Sequence, residues 1–123
     1  MNQPHSPALQ TALAYYEAWR RRDHSTAMNV VADTVVAETP FGRLEGGAAL
    51  HESEAEFANI LTGATLIASF GDEDTALLLY KTRTLPVPSV LSAKYFVVDN
   101  GKTTAIKGLF DRSVFAEAQG EHE

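Results

Sequence analysis

Apolar positions early in the chain recur at helical spacing, and later ones alternate. Leu9, Ala12, Leu13, Tyr16 and Trp19 or Arg20 follow the i, i+3, i+4, i+7 rule, which predicts an amphipathic helix from about Ser6 to Arg22. Asp23 is placed to cap a second, shorter helix through His24 to Ala32. The β-branched run Thr34-Val35-Val36-Ala37 predicts a strand that ends at Pro40. Gly42, Gly46 and Gly47 bracket a short extended piece. Ala48 to Leu61 reads as a third helix, with Leu50, Phe57, Ile60 and Leu61 on its inner side.

After Gly63 the pattern turns to β. Strands are expected over Thr65–Phe70, Thr75–Thr84, Val90–Val98 and Thr103–Phe110, the last with room to run on to Phe115. Gly71-Asp72-Glu73-Asp74 supplies one turn. Asn100-Gly101 supplies a two-residue hairpin, because both positions accept φ > 0. Pro86 and Pro88 interrupt the sheet between the middle strands. The charged tail Glu117 to Glu123 is expected to fray. Helices gathered early and strands late imply an α+β domain, with helices packed on one face of a curved antiparallel sheet.

Composition narrows this picture. At 123 residues the chain fits a single domain, with an ordered core expected over about 7–116, and its 45% hydrophobic content suffices for a buried interior. The net charge of −6 argues against nucleic acid and against an anionic membrane surface. Arg20-Arg21-Arg22 does not reverse that sign and reads as cations at a helix C-terminus. There is no cysteine, which excludes disulfides, thiolate metal sites and a cysteine nucleophile. Asn2, Gln3 and His5 sit where a signal peptide would build its apolar run, and no stretch approaches a membrane span, so a cytoplasmic setting is expected. Neither a metal nor a cofactor is expected, since metal-ligand spacings and phosphate-binding glycine loops are missing from the sequence.

The order of elements, with Tyr15 in the first helix, Asp23 opening the second, Asp33 before the first strand, Thr39-Pro40-Phe41-Gly42, Asp99-Asn100-Gly101-Lys102 and Leu109-Phe110-Asp111, resembles the nuclear transport factor 2-like superfamily. That group includes SnoaL-like polyketide cyclases, ketosteroid isomerases and limonene-epoxide hydrolases. The resemblance spans nearly the whole chain. It implies a cone with a mostly apolar pocket for a small hydrophobic molecule, and a homodimer through the convex face of the sheet. It also implies departures. The ketosteroid isomerase tyrosine falls on Tyr15, but its base falls on Thr39 and its protonated acid on Lys94. The final aspartate of the epoxide hydrolases falls on Gly108, and their Arg-x-Asp pair falls near Tyr80-Lys81-Thr82.

Candidate groups follow from these positions. Tyr15 either donates to a ligand oxygen or packs in the core. If Phe96 and Val98 point into the cone, alternation sends Lys94 there too. An apolar pocket would then lower the lysine pKa by desolvation, suiting it as a base, a Schiff-base amine or an anchor for an anion; the other reading places Lys94 at an exposed rim. His51 would suit proton transfer if it faced inward, but it follows Leu50 on the helix and can equally lie on the surface. His5, His24 and His122 are scattered. Asp111 points away if Phe110 lines the pocket, which leaves it a capping role or a pairing with Arg112. Trp19, Thr39, Phe41, Phe57, Phe96 and Phe110 complete the expected pocket. The chemistry most consistent with these groups is cofactor-free isomerisation, cyclisation or dehydration of a carbonyl compound, with Tyr15 polarising it and His51 or Lys94 moving the proton. A non-catalytic binding module and a dimeric interaction domain are the alternatives.

Overall fold

The computed structural model describes residues 6–85, 87–111 and 113–114. His5, Pro86, Arg112, Phe115, His122 and the tail from Glu117 lie outside the described residues.

Helix α1 (Pro7–Arg20) starts where Ser6 caps it, its hydroxyl accepting from the Leu9 amide at 3.4 Å, with proline at the first helical turn where no N–H is needed. It stops two residues before the expected Arg22. Arg22 adopts a left-handed backbone, φ 63°, and its guanidinium donates to the carbonyls of Ala58 and Leu61, tying the helix end to the far side of the chain. The Asp23 carboxylate then accepts from the Thr26 amide at 3.3 Å and opens α2 (His24–Met28). Those hydrogen bonds to Thr26 hold the Asp23 carboxyl below its ordinary value.

α2 is shorter than its sequence pattern suggests. Val31 already belongs to strand β1 (Val31–Thr39), where β-branched Val31 and Val35 are buried, and the Thr103 amide donates to the Val30 carbonyl at 2.8 Å. A short strand β2 (Gly42–Glu45) leads into α3 (Gly47–Ala58). Leu61, expected on the inner side of that helix, instead begins β3 (Leu61–Gly71). Strands β4 (Thr75–Thr84), β5 (Val90–Asp99) and β6 (Lys102–Phe110) complete the chain of elements. The β3–β4 and β5–β6 tips use the expected turn chemistry. The Asp72 carboxylate gathers the amides of Asp74 and Thr75 and the Thr75 hydroxyl, and Asn100 and Gly101 adopt φ of 52° and 77°.

The strand order is β2-β1-β6-β5-β4-β3, one curved sheet that does not close. All neighbours are antiparallel except β1 and β6, which run parallel and join the two halves of the chain. Register shifts within β3, between β5 and β6 and between β1 and β6 bend the sheet around α1. Along β5, Val90, Ser92, Phe96 and Val98 are buried and share the concave face with Lys94, so the alternation expected from sequence holds. Ala8, Ala12, Tyr15, Tyr16 and Trp19 of α1 fill the concavity against Leu78, Tyr80 and Phe96. No helix among the described residues is long and apolar enough to cross a membrane.

Candidate functional site

One end of the concave face is not filled by core side chains. It holds a cavity of about 220 Å³ whose walls come from α1, α3 and most of the sheet. Tyr15 and Trp19, one helical turn apart, supply the α1 wall. Leu50, Ser53, Glu54 and Phe57 supply the α3 wall at i, i+3, i+4 and i+7, a single helix face. Trp19 and Phe57 close one side with their rings stacked, centroids 6.1 Å apart and planes 12° apart. Thr39, Phe41, Tyr80, Lys94, Gly108 and Phe110 are among the residues contributed by the sheet and its β1–β2 turn.

Lys94 is the cationic centre. Its Nζ lies 5.0 Å from the Trp19 ring centroid and 5.4 Å from that of Tyr15, so two aromatic faces receive the ammonium. Its Nζ is also 4.0 Å from Glu54 Oε1, both side chains being largely buried at 16% and 11% exposure. Burial alone would lower the Lys94 pKa. The neighbouring Tyr80 hydroxyl and the Glu54 carboxylate overcome it, and the net shift is upward from 10.5. Lys94 therefore stays an ammonium at neutral pH. The deprotonated, Schiff-base form expected from desolvation is corrected by these two partners, which the sequence did not place beside it.

Glu54 shifts the other way from a solvated carboxylate. Burial raises it above its ordinary 4.5, and the attraction of Lys94 only partly offsets this. Burial likewise raises Tyr80, against the opposing pull of Lys94, so the phenol keeps its proton and serves Lys94 as a hydrogen-bond acceptor. A basic carboxyl group, an ammonium and a phenol thus share the polar end of an otherwise apolar cavity. That is a proton acceptor beside a fixed positive charge, the minimum needed to remove a proton and hold the resulting anion.

The residues expected from sequence divide accordingly. Tyr15, Lys94, Trp19, Thr39, Phe41, Phe57 and Phe110 line the cavity. Tyr15 offers its ring; its hydroxyl is buried, with no hydrogen-bond partner among the described residues. Tyr15→Phe is therefore expected to leave thermal stability unchanged or raise it, by up to about 1 kcal/mol, since it removes a buried unsatisfied group; thermal unfolding monitored by circular dichroism checks this. The Thr39 hydroxyl accepts from the Phe41 amide at 3.1 Å and donates to the Gly42 carbonyl at 3.4 Å, so it is spent on the β1–β2 turn. Phe41, 62% exposed, meets Phe110 edge to face at 5.1 Å at the mouth.

Two expected residues lie elsewhere. His51 is exposed on α3 and faces a shallow surface depression with Asp33, its ring 6.0 Å from that of His24, because it sits one position off the Leu50–Phe57 face. Phe96 is fully buried behind Tyr15, centroids 5.6 Å apart, and packs the core without lining the cavity. Asp111 is exposed and accepts from the Ser113 amide and hydroxyl, which hold its carboxyl low, in keeping with a local capping role.

Glu54 and Tyr80 were not singled out from sequence. The signal for Glu54 was present, since it falls four residues after Leu50 and three before Phe57. Glu52 and Glu56 beside it disguised the position as part of a solvated acidic face.

Among solved structures, a protein from Kribbella flavida is 41% identical, the match covering 94% of this chain and 96% of that one with a TM-score of 0.91. TerC co-crystallised with polyporic acid is 22% identical over 92% and 98% of the two chains, TM-score 0.75. An LEH-like epoxide hydrolase from M. tuberculosis is 18% identical over 94% and 90%, TM-score 0.76; these last two likenesses are of fold. No curated protein matches the chain. The SnoaL-like domain model matches residues 12–110, four-fifths of the chain and every wall of the cavity, and the chain belongs to that family, within the nuclear transport factor 2-like superfamily.

Proposed function

We propose that the protein is a cofactor-free enzyme that moves a proton on a small, flat carbonyl compound, as an isomerase, cyclase or dehydratase. The observation that carries this reading is the Glu54–Lys94 pair at 4.0 Å on the wall of an apolar cavity. Glu54 takes the proton from the carbon next to the carbonyl. The Lys94 ammonium, steadied by Tyr80 and the faces of Trp19 and Tyr15, stabilises the enolate oxygen. Neither Tyr15 nor His51 is needed for the transfer. The volume of about 220 Å³ exceeds the roughly 150 Å³ cavity that accepts a benzene ring, so one substituted ring or a small bicycle fits. Fold neighbours described as a polyketide cyclase and a ketosteroid isomerase, and one co-crystallised with polyporic acid, are consistent with such ligands.

The test is a panel of aromatic and alicyclic ketones, scored for thermal stabilisation and for loss of α-deuterium by proton NMR. Exchange above the buffer rate supports the enzyme. Stabilisation without exchange by any ketone would instead make the protein a binding module.

A second copy of the chain is the proposed partner. Phe70, Leu77 and Tyr95 face one another across β3, β4 and β5 on the convex side, with Leu91 and Leu109 on the same face, and each is 38–66% exposed. Such an exposed apolar face can pair with its own copy about a two-fold axis. Sedimentation is expected to give a dimer for the native chain and a monomer for Leu77→Glu combined with Leu109→Glu. A native monomer at micromolar concentration would rule the dimer out.

A further inference from the structure

The separation of Lys94 and Glu54 carries more than a charge pair. At 4.0 Å the nitrogen and oxygen attract, but they stand too far apart to share a hydrogen bond, which needs about 2.7–3.2 Å. A single oxygen set about 2.8 Å from each would subtend close to 90° between them, near what a hydroxyl needs to donate to one group and accept from the other. Both residues line the cavity, with the ring faces of Trp19 and Tyr15 beside the Lys94 nitrogen.

We propose that the gap is a hydroxyl site, and that the preferred ligand is an acidic phenol or enol whose O–H points at Glu54 while its oxygen faces Lys94. This rests on reading the pair as the polar end of the cavity, and it names the class of molecule that fits there. In the bound state the ligand O–H bond breaks and a Glu54 O–H bond forms. The electron pair stays on the ligand oxygen, next to the ammonium, and nothing else is consumed. Burial makes Glu54 a stronger base than a solvated carboxylate, which favours this direction. The other ionisable groups on the wall do not compete for the proton: Tyr80 holds its own, Tyr15 has its hydroxyl buried, and Arg43 of β2 is a cation paired with Glu45 at 2.9 Å. An ether in place of the hydroxyl leaves the Glu54 carboxylate without a donor and adds a methyl group to a gap sized for one oxygen.

The experiment titrates the protein with 4-nitrophenol and with 4-nitroanisole, its methyl ether, at a pH where free nitrophenol is mostly protonated. Nitrophenol is expected to bind roughly tenfold to a hundredfold more tightly than the ether, the range for a hydrogen bond to a charged group. The yellow phenolate band should appear on binding. Calorimetry in two buffers of different ionisation enthalpy should show no net proton release. In Glu54→Gln the ligand proton has no acceptor on the wall, so any phenolate band must come with proton release to the buffer. Lys94→Met should bring the phenol-to-ether ratio close to one, and Lys94→Arg should keep it well above one, each variant's fold being verified by thermal unfolding. Equal affinity for the two compounds, no binding of nitrophenol up to its solubility, or phenolate binding by Glu54→Gln without proton release to buffer would each overturn the proposal. Nitrophenol has no enolisable carbon, so the outcome is independent of turnover: absent ketone exchange with intact phenol selectivity would sink the enzyme reading and leave this one standing.

Discussion

Glu54→Gln is expected to slow α-proton exchange on any ketone the protein accepts by roughly 10²- to 10⁴-fold, the usual contribution of a positioned base. Glutamine keeps the size and one carbonyl acceptor, so Lys94 retains a polar neighbour, but it cannot take a proton. Ligand affinity should change much less than the exchange rate, because the aromatic walls from Trp19 and Phe57 are untouched. The pH profile gives a second signature. The carboxyl must be ionised to act, so the native rate rises with pH through a midpoint above the ordinary 4.5, in the direction burial pushes it. Lys94→Met removes the one influence that lowers this pKa, and the midpoint should move further up. A Glu54→Gln variant that exchanges at the native rate would remove Glu54 from the chemistry.

Glu54→Leu is expected to destabilise the protein by about 3 kcal/mol, because it leaves the Lys94 ammonium buried without a countercharge. The figure sits at the low end of the range for broken buried pairs, since two aromatic faces and Tyr80 still receive the cation. Adding Lys94→Met should recover that loss and leave the double variant as stable as the native chain or more so, as apolar replacements of buried pairs often do. The sign with pH follows from the raised carboxyl. In the folded state Glu54 holds its proton at pH values where the unfolded chain has released it, so native stability falls as pH rises from 4.5 through the folded midpoint. The double variant lacks this slope. Urea titrations of the four proteins at two pH values measure both effects. Additive single-variant costs would show that Glu54 and Lys94 do not interact.

Much of the fold was readable because its elements obey simple periodicities. The Thr75–Thr84 strand, the Asn100-Gly101 turn and the inward run from Val90 to Val98 follow from alternation and turn chemistry alone. Helix ends were less legible. Arg22 stops α1 by reaching carbonyls at Ala58 and Leu61, partners more than thirty residues away. The parallel pairing of β1 with β6 is equally non-local. At the site, alternation placed Lys94 correctly, yet its protonation state depends on Glu54 and Tyr80, which lie on two other elements. Hence alternation finds the lysine, while the choice between a base and an anchor for an anion needs the partners, and they favour the charged form. His51 is a candidate by its chemistry and a surface residue by its place beside Leu50, and the second holds; the helix face running through Leu50 and Phe57 points to Glu54.

Thr39, Gly108 and Lys94 are neighbours across β1, β6 and β5: Gly108 pairs with Lys94, and a Cβ on Gly108 would stand 3.6 Å from Thr39 Cγ2. This row has no acid, and the carboxyl that faces it comes from α3. The acid is therefore mounted on a different structural member from the cation. A strand residue is held by ladders on both sides, so altering it disturbs two neighbours at once. A helix residue on the cavity wall belongs to no ladder, so exchanging it for another ionisable group disturbs no strand pairing. Position 54 is accordingly a socket: Asp, His or Cys placed there would set a different reach or a different proton affinity against an unchanged Lys94, and the same scaffold could be re-tuned through one side chain.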